Sequence, residues 1–306
     1  LISRDTPLSV HPEVADALAD GRPVVALEST IISHGLPADS GLDVARRIEQ
    51  AVRKEGAVPA TIAIIGGCIR VGLEAEQLQA LVNRDDVAKA SIRDIAIVLA
   101  TGGLGATTVA STSWIAARAG ITTFATGGLG GVHREAAVSW DESADLYGLA
   151  QCPITVVCAG VKSILDVPAT LERLESLSVS VVGYRTNRFP GFYVRETPYE
   201  VPWRLDSVGE VAAVMRMRER LGLPQALVVA NPIAESSQLD PIVHDEVLHA
   251  GLAELERQGI AGKAVTPFLL GYFHERTAGA SLRANIDLVL ANARLAGAIA
   301  REHSEL

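Results

Sequence analysis

Aromatic residues make up only 4% of this 306-residue chain, which holds two methionines and three cysteines, and basic residues number 27 against 36 acidic ones. Each shortage excludes something. Cys68, Cys152 and Cys158 are an odd set without CxxC or Cys/His spacing, so neither a disulfide framework nor a zinc site is expected, and each reads as a buried thiol beside an apolar stretch. A formal charge of −9 lacks the basic footprint that nucleic acid requires, so no nucleic-acid partner is expected. No apolar run approaches the roughly 20 residues that cross a bilayer, and the first residues lack the basic-then-apolar pattern of a secretory signal. A cytoplasmic protein with no membrane partner is the expectation.

What is present is apolar: 48% of the residues are hydrophobic and only 21% charged, enough for a substantial core. Short β-rich runs alternate with longer amphipathic stretches, the pattern of an α/β three-layer fold with a mostly parallel or mixed central sheet and helices on both faces. No linker interrupts it, so one domain over residues 1–306 is expected. Strands are expected at 23–28, 60–66, 95–99, 121–125, 154–158, 179–184 and 226–230. Helices are expected at 11–20, 40–55, 75–83, 107–118, 143–150, 168–176, 208–220, 242–258 and 281–301. Asp39 or Ser40 would cap the second helix and Ser281 the last. The Pro- and aromatic-rich stretch 185–203 reads as a surface crossover in preference to an ordered loop over a site.

Two strand ends carry ionisable groups. Val24 to Leu27 lead into Glu28, and Ile154 to Cys158 lead, through a turn, to Lys162. Carboxyl ends of central strands face the ligand crevice in α/β folds, so these two can meet over one substrate. Lys162 then reads as an amine nucleophile able to form an imine with a sugar aldehyde, or as a lysine reaching for water. Glu28, behind an apolar run, reads either as a proton donor and acceptor with a raised pKa or as an acceptor for the amides of Ser29 to Ile32.

The phrase Ala-Thr-Gly-Gly-Leu-Gly occurs twice, at 100–105 and 125–130. Such turns bring backbone amides close to an anion, and Thr107 and Thr108 would open a helix whose N-terminus favours phosphate; packing alone also explains the glycines. Neither copy fits a dinucleotide or Walker motif. Lys89, Arg93, His133 and Arg134 are candidate phosphate partners or surface charges. Asp141 and Asp145, four apart, would share a helix face and suit Mg²⁺ or Mn²⁺, or else serve the helix dipole. Asn285 and Asn292, seven apart, share a face, and one could reach a ligand.

Longer motifs carry a resemblance. Val-Val-Ala-Leu-Glu-Ser-Thr-Ile-Ile-Ser-His-Gly at 24–35, Gly-Ala-Thr-Thr-Val-Ala-Ser-Thr at 105–112, Phe-Ala-Thr-Gly-Gly-Leu-Gly-Gly-Val-His-Arg at 124–134, Ser-Ala-Asp-Leu at 143–146, Val-Val-Cys-Ala-Gly-Val-Lys-Ser-Ile-Leu-Asp at 156–166 and Thr-Pro-Phe-Leu-Leu at 266–270 resemble the pseudouridine-5′-phosphate glycosidases, over about residues 8–301. The resemblance implies reversible cleavage of a carbon–carbon glycosidic bond to give uracil and ribose 5-phosphate, assisted by Mn²⁺ or another divalent metal such as Mg²⁺. It implies Lys162 as the nucleophile forming a Schiff base with opened ribose, Glu28 as proton donor and acceptor, and Asp141 on the metal. Substrate contacts would come from Lys89, Thr108, Val109, Thr126, Gly127, His133, Ser143, Ala144, Asp145 and Asn285. A homotrimer is implied as well. Gly-Val-His-Arg-Glu at 131–135 departs from the family phrase, which ends in Gly. The other readings are a related C-glycosidase or lyase acting on a different base or phosphosugar, and a non-catalytic sugar-phosphate binder.

Overall fold

The computed structural model describes residues 7–35, 38–260 and 264–306, with the side chains of residues 38 and 39 excepted. In chain order the strands are β1 (Leu8–Val10), β2 (Val24–Leu27), β3 (Val58–Ile65), β4 (Cys68–Val71), β5 (Ala88–Ala90), β6 (Leu104–Thr107), β7 (Thr123–Ala125), β8 (Thr155–Cys158), β9 (Ser180–Tyr184), β10 (Arg204–Leu205) and β11 (Leu227–Ala230). Their order is β1-β4-β3-β2-β7-β8-β11-β9-β10, with β6 joined to β3 and β5 to β6. Pairings are parallel except β3 with β4 and β3 with β6.

β2, β8 and β11 are buried along their whole length, which is why β2 and β11 read as continuous Val/Leu/Ala runs and β8, Thr-Val-Val-Cys, shows no polar alternation. Covered on both faces, a parallel strand has no side that tolerates water. β3 is twice as long as β2. Its first half, Val58 to Thr61, pairs with β2, and Ile62 to Ile65 pair with β4 and β6, so one strand seeds a second small sheet.

Helix Ala280–Glu305 lies across β2, β7 and β8 and packs against helices Ala38–Lys54 and Val208–Leu221. Helix Val109–Ala119 contacts β2, β3 and β6 and packs against helix Ala144–Ala150, completing the three layers. Aliphatic and alanine side chains dominate the shared core, in keeping with the scarcity of aromatics.

Most expected elements are present within a few residues, and the departures have physical causes. The 95–99 run is a helix, Ile95–Ala100, although its β-branched residues suggest a strand. Ile95 and Val98, three apart, are buried while Ile97 is 63% exposed, which is helical spacing, and the capped turn Ile92–Asp94 leads into it. Thr107 ends β6, so the following helix starts at Val109, with the Thr108 hydroxyl accepting from the Ser111 amide. The second long helix begins at Ala38, ahead of Ser40, and the Asp39 side chain lies outside the described residues. Gly279, at φ 79°, caps the last helix in place of Ser281, whose amide instead donates to the Thr277 hydroxyl at 3.0 Å. Helices Thr30–His34 and Val265–Arg276 and the short strands β1, β4, β5, β6 and β10 were not anticipated.

The 185–203 stretch is not a surface crossover. Phe189, Phe192 and Tyr193 are buried, and Tyr193 bridges Phe192 and Phe273 with ring centroids 4.7 and 5.3 Å away. Few aromatics are available, and several are spent fastening this segment against the sheet. Gly160 makes that approach possible: at φ 86° it lies against Pro190, whose carbonyl oxygen would stand 2.2 Å from any added Cβ.

Candidate active site

β2, β7 and β8 are adjacent and parallel, with Leu27 opposite Ala125 and Ala125 opposite Val157. The chain therefore delivers Glu28, then Thr126, then the turn to Lys162 at one edge of the sheet, the crevice side of an α/β fold. The Lys162 amide donates to Leu129 O at 3.1 Å and the Leu129 amide to Gly160 O at 2.9 Å, which ties the second glycine turn to the lysine turn. Beneath Glu28, the Ser29 hydroxyl donates to Ile62 O at 2.7 Å and accepts from the Thr107 amide at 2.8 Å. One buried serine thus ties the ends of β2 and β6 to the middle of β3.

Two adjoining cavities open here and share Glu28, Thr30, Lys89, Lys162 and Thr266. The larger, of about 230 Å³, is polar and is edged by Arg93, Thr108, Val109, His133, Asp141 and Ser143 to Asp145. The smaller has apolar walls, with Ile31, Gly127, Phe192 and Leu270, and Asn285 at its side. Of the thirteen positions that the resemblance implies, all but Thr126 line one cavity or both; Thr126 lies one bond behind, donating its hydroxyl to Glu28 Oε1.

The carboxylate of Glu28 takes its hydrogen bond from Thr126 and not from the following turn, whose Ile32 and Ser33 amides go to Ser29 O. Burial pushes its pKa up from the usual carboxylate value. Lys162, the Thr126 hydroxyl and Lys89 oppose that rise, and Asp145 adds to it. A carboxyl group so placed holds its proton to higher pH than a free one, which suits a group that must both give and take a proton.

Asp141 and Asp145 do not share a helix. Ser143 caps the helix Ala144–Ala150, leaving Asp141 in the preceding segment, where residues 131–133 and 141–143 pair edge to edge through His133 N to Asp141 O (3.0 Å) and Ser143 N to Gly131 O (2.9 Å). Asp145 is 6% exposed; Oδ1 accepts from the Ala110 amide and Oδ2 from the Gly130 amide, both at 2.9 Å. It braces the opening of helix Val109–Ala119 against the second glycine turn. With Ala110 bound to Asp145 and Ser111 to Thr108, the Val109 amide is the first-turn donor left at the cleft.

Gly130 has to be glycine: a Cβ would stand 2.2 Å from Ser143 Oγ and 2.6 Å from Asp145 Oδ2. Gly130→Ala is expected to cost about 1–3 kcal/mol in a denaturant melt, the usual range for overpacking, and to lower kcat by displacing Ser143 and Asp145. A melt and rate equal to wild type would refute this tight approach.

Among the described residues, no cluster of three or more His, Cys, Asp or Glu side chains could enclose a metal. Asp141 faces the cleft with His133 Nδ1 3.7 Å from Oδ2. Burial, helped by Lys89 and Lys162, lowers the His133 pKa against the pull of Asp141, favouring a neutral imidazole. One free carboxylate beside such a ring suits a hard divalent ion that keeps most of its water.

The glycine repeat divides in two. The 125–130 copy follows β7 and reaches the cleft, whereas 100–105 runs from a helix into β6 and lines neither cavity. Arg134 turns away from a phosphate role, donating to Ser163 O and Ile164 O at 3.2 Å each, directly behind Lys162. Thr30, Phe192 and Thr266 line the cleft with no role foreseen for them. Thr30 follows Glu28 closely enough to be suspected, but Phe192 and Thr266 arrive from distant segments that local patterning does not connect to the site.

The chain matches the family described as indigoidine synthase A like protein over residues 13–302. It is 61% identical over 289 residues to a pseudouridine-5′-phosphate glycosidase of Salinispora tropica, covering 94% of this chain and 89% of that protein. The Escherichia coli K12 protein of the same name is 51% identical over 301 residues, with 98% and 96% covered. Among solved structures, the prealnumycin C-glycosynthase AlnA in complex with ribulose 5-phosphate superposes with TM-score 0.91 at 40% identity, covering 98% of each chain. An indigoidine synthase A-like protein of Thermotoga maritima gives 0.90 at 36% identity, covering 99% of each.

Proposed function

The chain belongs to the indigoidine synthase A-like family, and on that premise we propose that it is a pseudouridine-5′-phosphate glycosidase working through a lysine Schiff base. The observation that carries the reading is the meeting of Glu28 and Lys162, from beyond the ends of parallel strands β2 and β8 on either side of β7, on the wall shared by a polar and an apolar cavity. The polar cavity suits the sugar phosphate, with Lys89, Arg93 and the Val109 amide at the helix opening as anion partners. The apolar one suits a planar base against Gly127 and Phe192, with Asn285 Oδ1, buried and without a partner, as its polar contact.

The chemistry follows from the leaving atom. Uracil must depart through carbon C5, which needs an electron source at C1′ and a proton at C5. Lys162 Nζ attacks C1′, the C1′–O4′ bond breaks, and O4′ takes a proton from Glu28. The nitrogen lone pair then forms an iminium as the C1′–C5 bond breaks, its electrons staying with uracil and C5 having gained a proton relayed by Glu28. Water adds to the iminium, releasing ribose 5-phosphate and free lysine. A divalent ion at Asp141 and His133 would supply positive charge and ordered water beside the phosphosugar.

The test is to incubate purified protein with uracil, ribose 5-phosphate and Mn²⁺ and to look for pseudouridine 5′-phosphate by chromatography. Product is the expected result. A folded, metal-loaded protein that makes none has another aglycone or phosphosugar as its substrate; the lower identity to the prealnumycin enzyme, 40% against 61%, places that reading second.

A further inference from the structure

Asn292 lies in the middle of helix Ala280–Glu305, is 0% exposed and faces the sheet. Asparagine is a poor residue for a helix interior, and a buried amide is costly unless every polar atom is paired. Here they are paired with the site. Nδ2 donates to Thr126 O at 2.8 Å and Gly127 O at 3.3 Å, and Oδ1 accepts from Asn231 Nδ2 at 2.9 Å. Two carbonyls on one side and an amide on the other determine which way the Asn292 amide points.

The Thr126–Gly127 turn is also held on its other side, by Thr126 N to Val157 O at 3.0 Å and Ala159 N to Gly127 O at 2.9 Å. Between these two sets of bonds the backbone at Thr126 has one place to be, and its buried hydroxyl reaches Glu28. The geometry points to Asn292, oriented by Asn231, as the positioning residue of the proton-transferring carboxylate: it acts through Thr126 and touches no substrate. This rests on Glu28 being the acid–base group of the proposed reaction.

The groups that act on Glu28 are Lys162 from the turn after β8, Asp145 from its helix, Lys89 from β5 and Thr126 itself. Only the Thr126 contact depends on Asn292. Loosening it removes a bond to the ionised form, so the Glu28 pKa moves upward.

The experiment compares wild type, Asn292→Ala, Thr126→Val and the double variant. Two quantities are measured: kcat and KM for ribose 5-phosphate, and the titration of the ¹³C-labelled Glu28 carboxyl, assigned with Glu28→Gln. Asn292→Ala should lower kcat roughly 10- to 100-fold, with KM changing less than about twofold, as misplacement of a catalytic group does. The Glu28 midpoint should rise in both single variants. In the Thr126→Val background, Asn292→Ala should add less than about a twofold loss. An unmoved midpoint in folded Asn292→Ala, or an equal kcat loss in both backgrounds, overturns the inference. Should Asn292→Ala fail to fold, Asn231→Ala removes only the bond at Oδ1; a smaller upward shift supports the inference and no shift overturns it. The titration needs no turnover, so an inactive wild type would refute the proposed reaction while the positioning remained testable.

Discussion

Lys162→Ala is expected to lose at least roughly 10³-fold in kcat and to yield no reducible sugar adduct, because in the proposed reaction an alanine leaves no amine to form the covalent intermediate. Borohydride reduction of wild type with ribose 5-phosphate should add the sugar mass to the peptide carrying Lys162, and to no other. Lys162→Arg should be equally inactive, since a guanidinium stays protonated and offers no lone pair. Folding is expected to survive both changes, because Lys162 lines a cleft and its backbone bonds to Leu129 need no side chain. Residual turnover above about one tenth in Lys162→Ala would mean that the glycosidic bond breaks without this amine.

Glu28→Gln separates activity from stability. Loss of the proton donor should cost roughly 10²- to 10⁴-fold in rate. The same change should raise the melting temperature at neutral and alkaline pH. The sign follows from the raised pKa: burial makes the folded protein hold this proton more tightly than the unfolded chain does. The contribution of the group is full below its unfolded pKa and is lost as pH rises through the folded one. A neutral amide escapes that loss, so the gain over wild type should shrink as pH falls into the ordinary carboxylate range. A difference in melting temperature that stays constant with pH, or grows in acid, would refute burial as the dominant influence on Glu28.

These two residues were legible in the sequence for a definite reason. Val24 to Leu27 and Val156 to Cys158 are buried on both faces, so they form unbroken apolar runs, and the first charged residue beyond each run stands out. Elsewhere the same logic misled. Ile95 to Leu99 has β-branched composition but a half-exposed helical environment, and composition alone does not say which faces are wet. Asp141 and Asp145 have helical spacing, yet Ser143 starts the helix between them and the carboxylates part, one to the cleft and one to two backbone amides.

Local pattern by itself settled the α/β alternation, the buried parallel strands and the two strand ends that carry Glu28 and Lys162, because burial and strand periodicity act on neighbouring residues. Only the tertiary structure decided that Thr126 sits on Glu28, that Asn292 from the last helix holds Thr126, that Arg134 braces the lysine turn and that Phe192 walls the cleft. Those contacts join residues as many as 166 positions apart, and strand order and helix docking bring them together, which no spacing within the chain encodes.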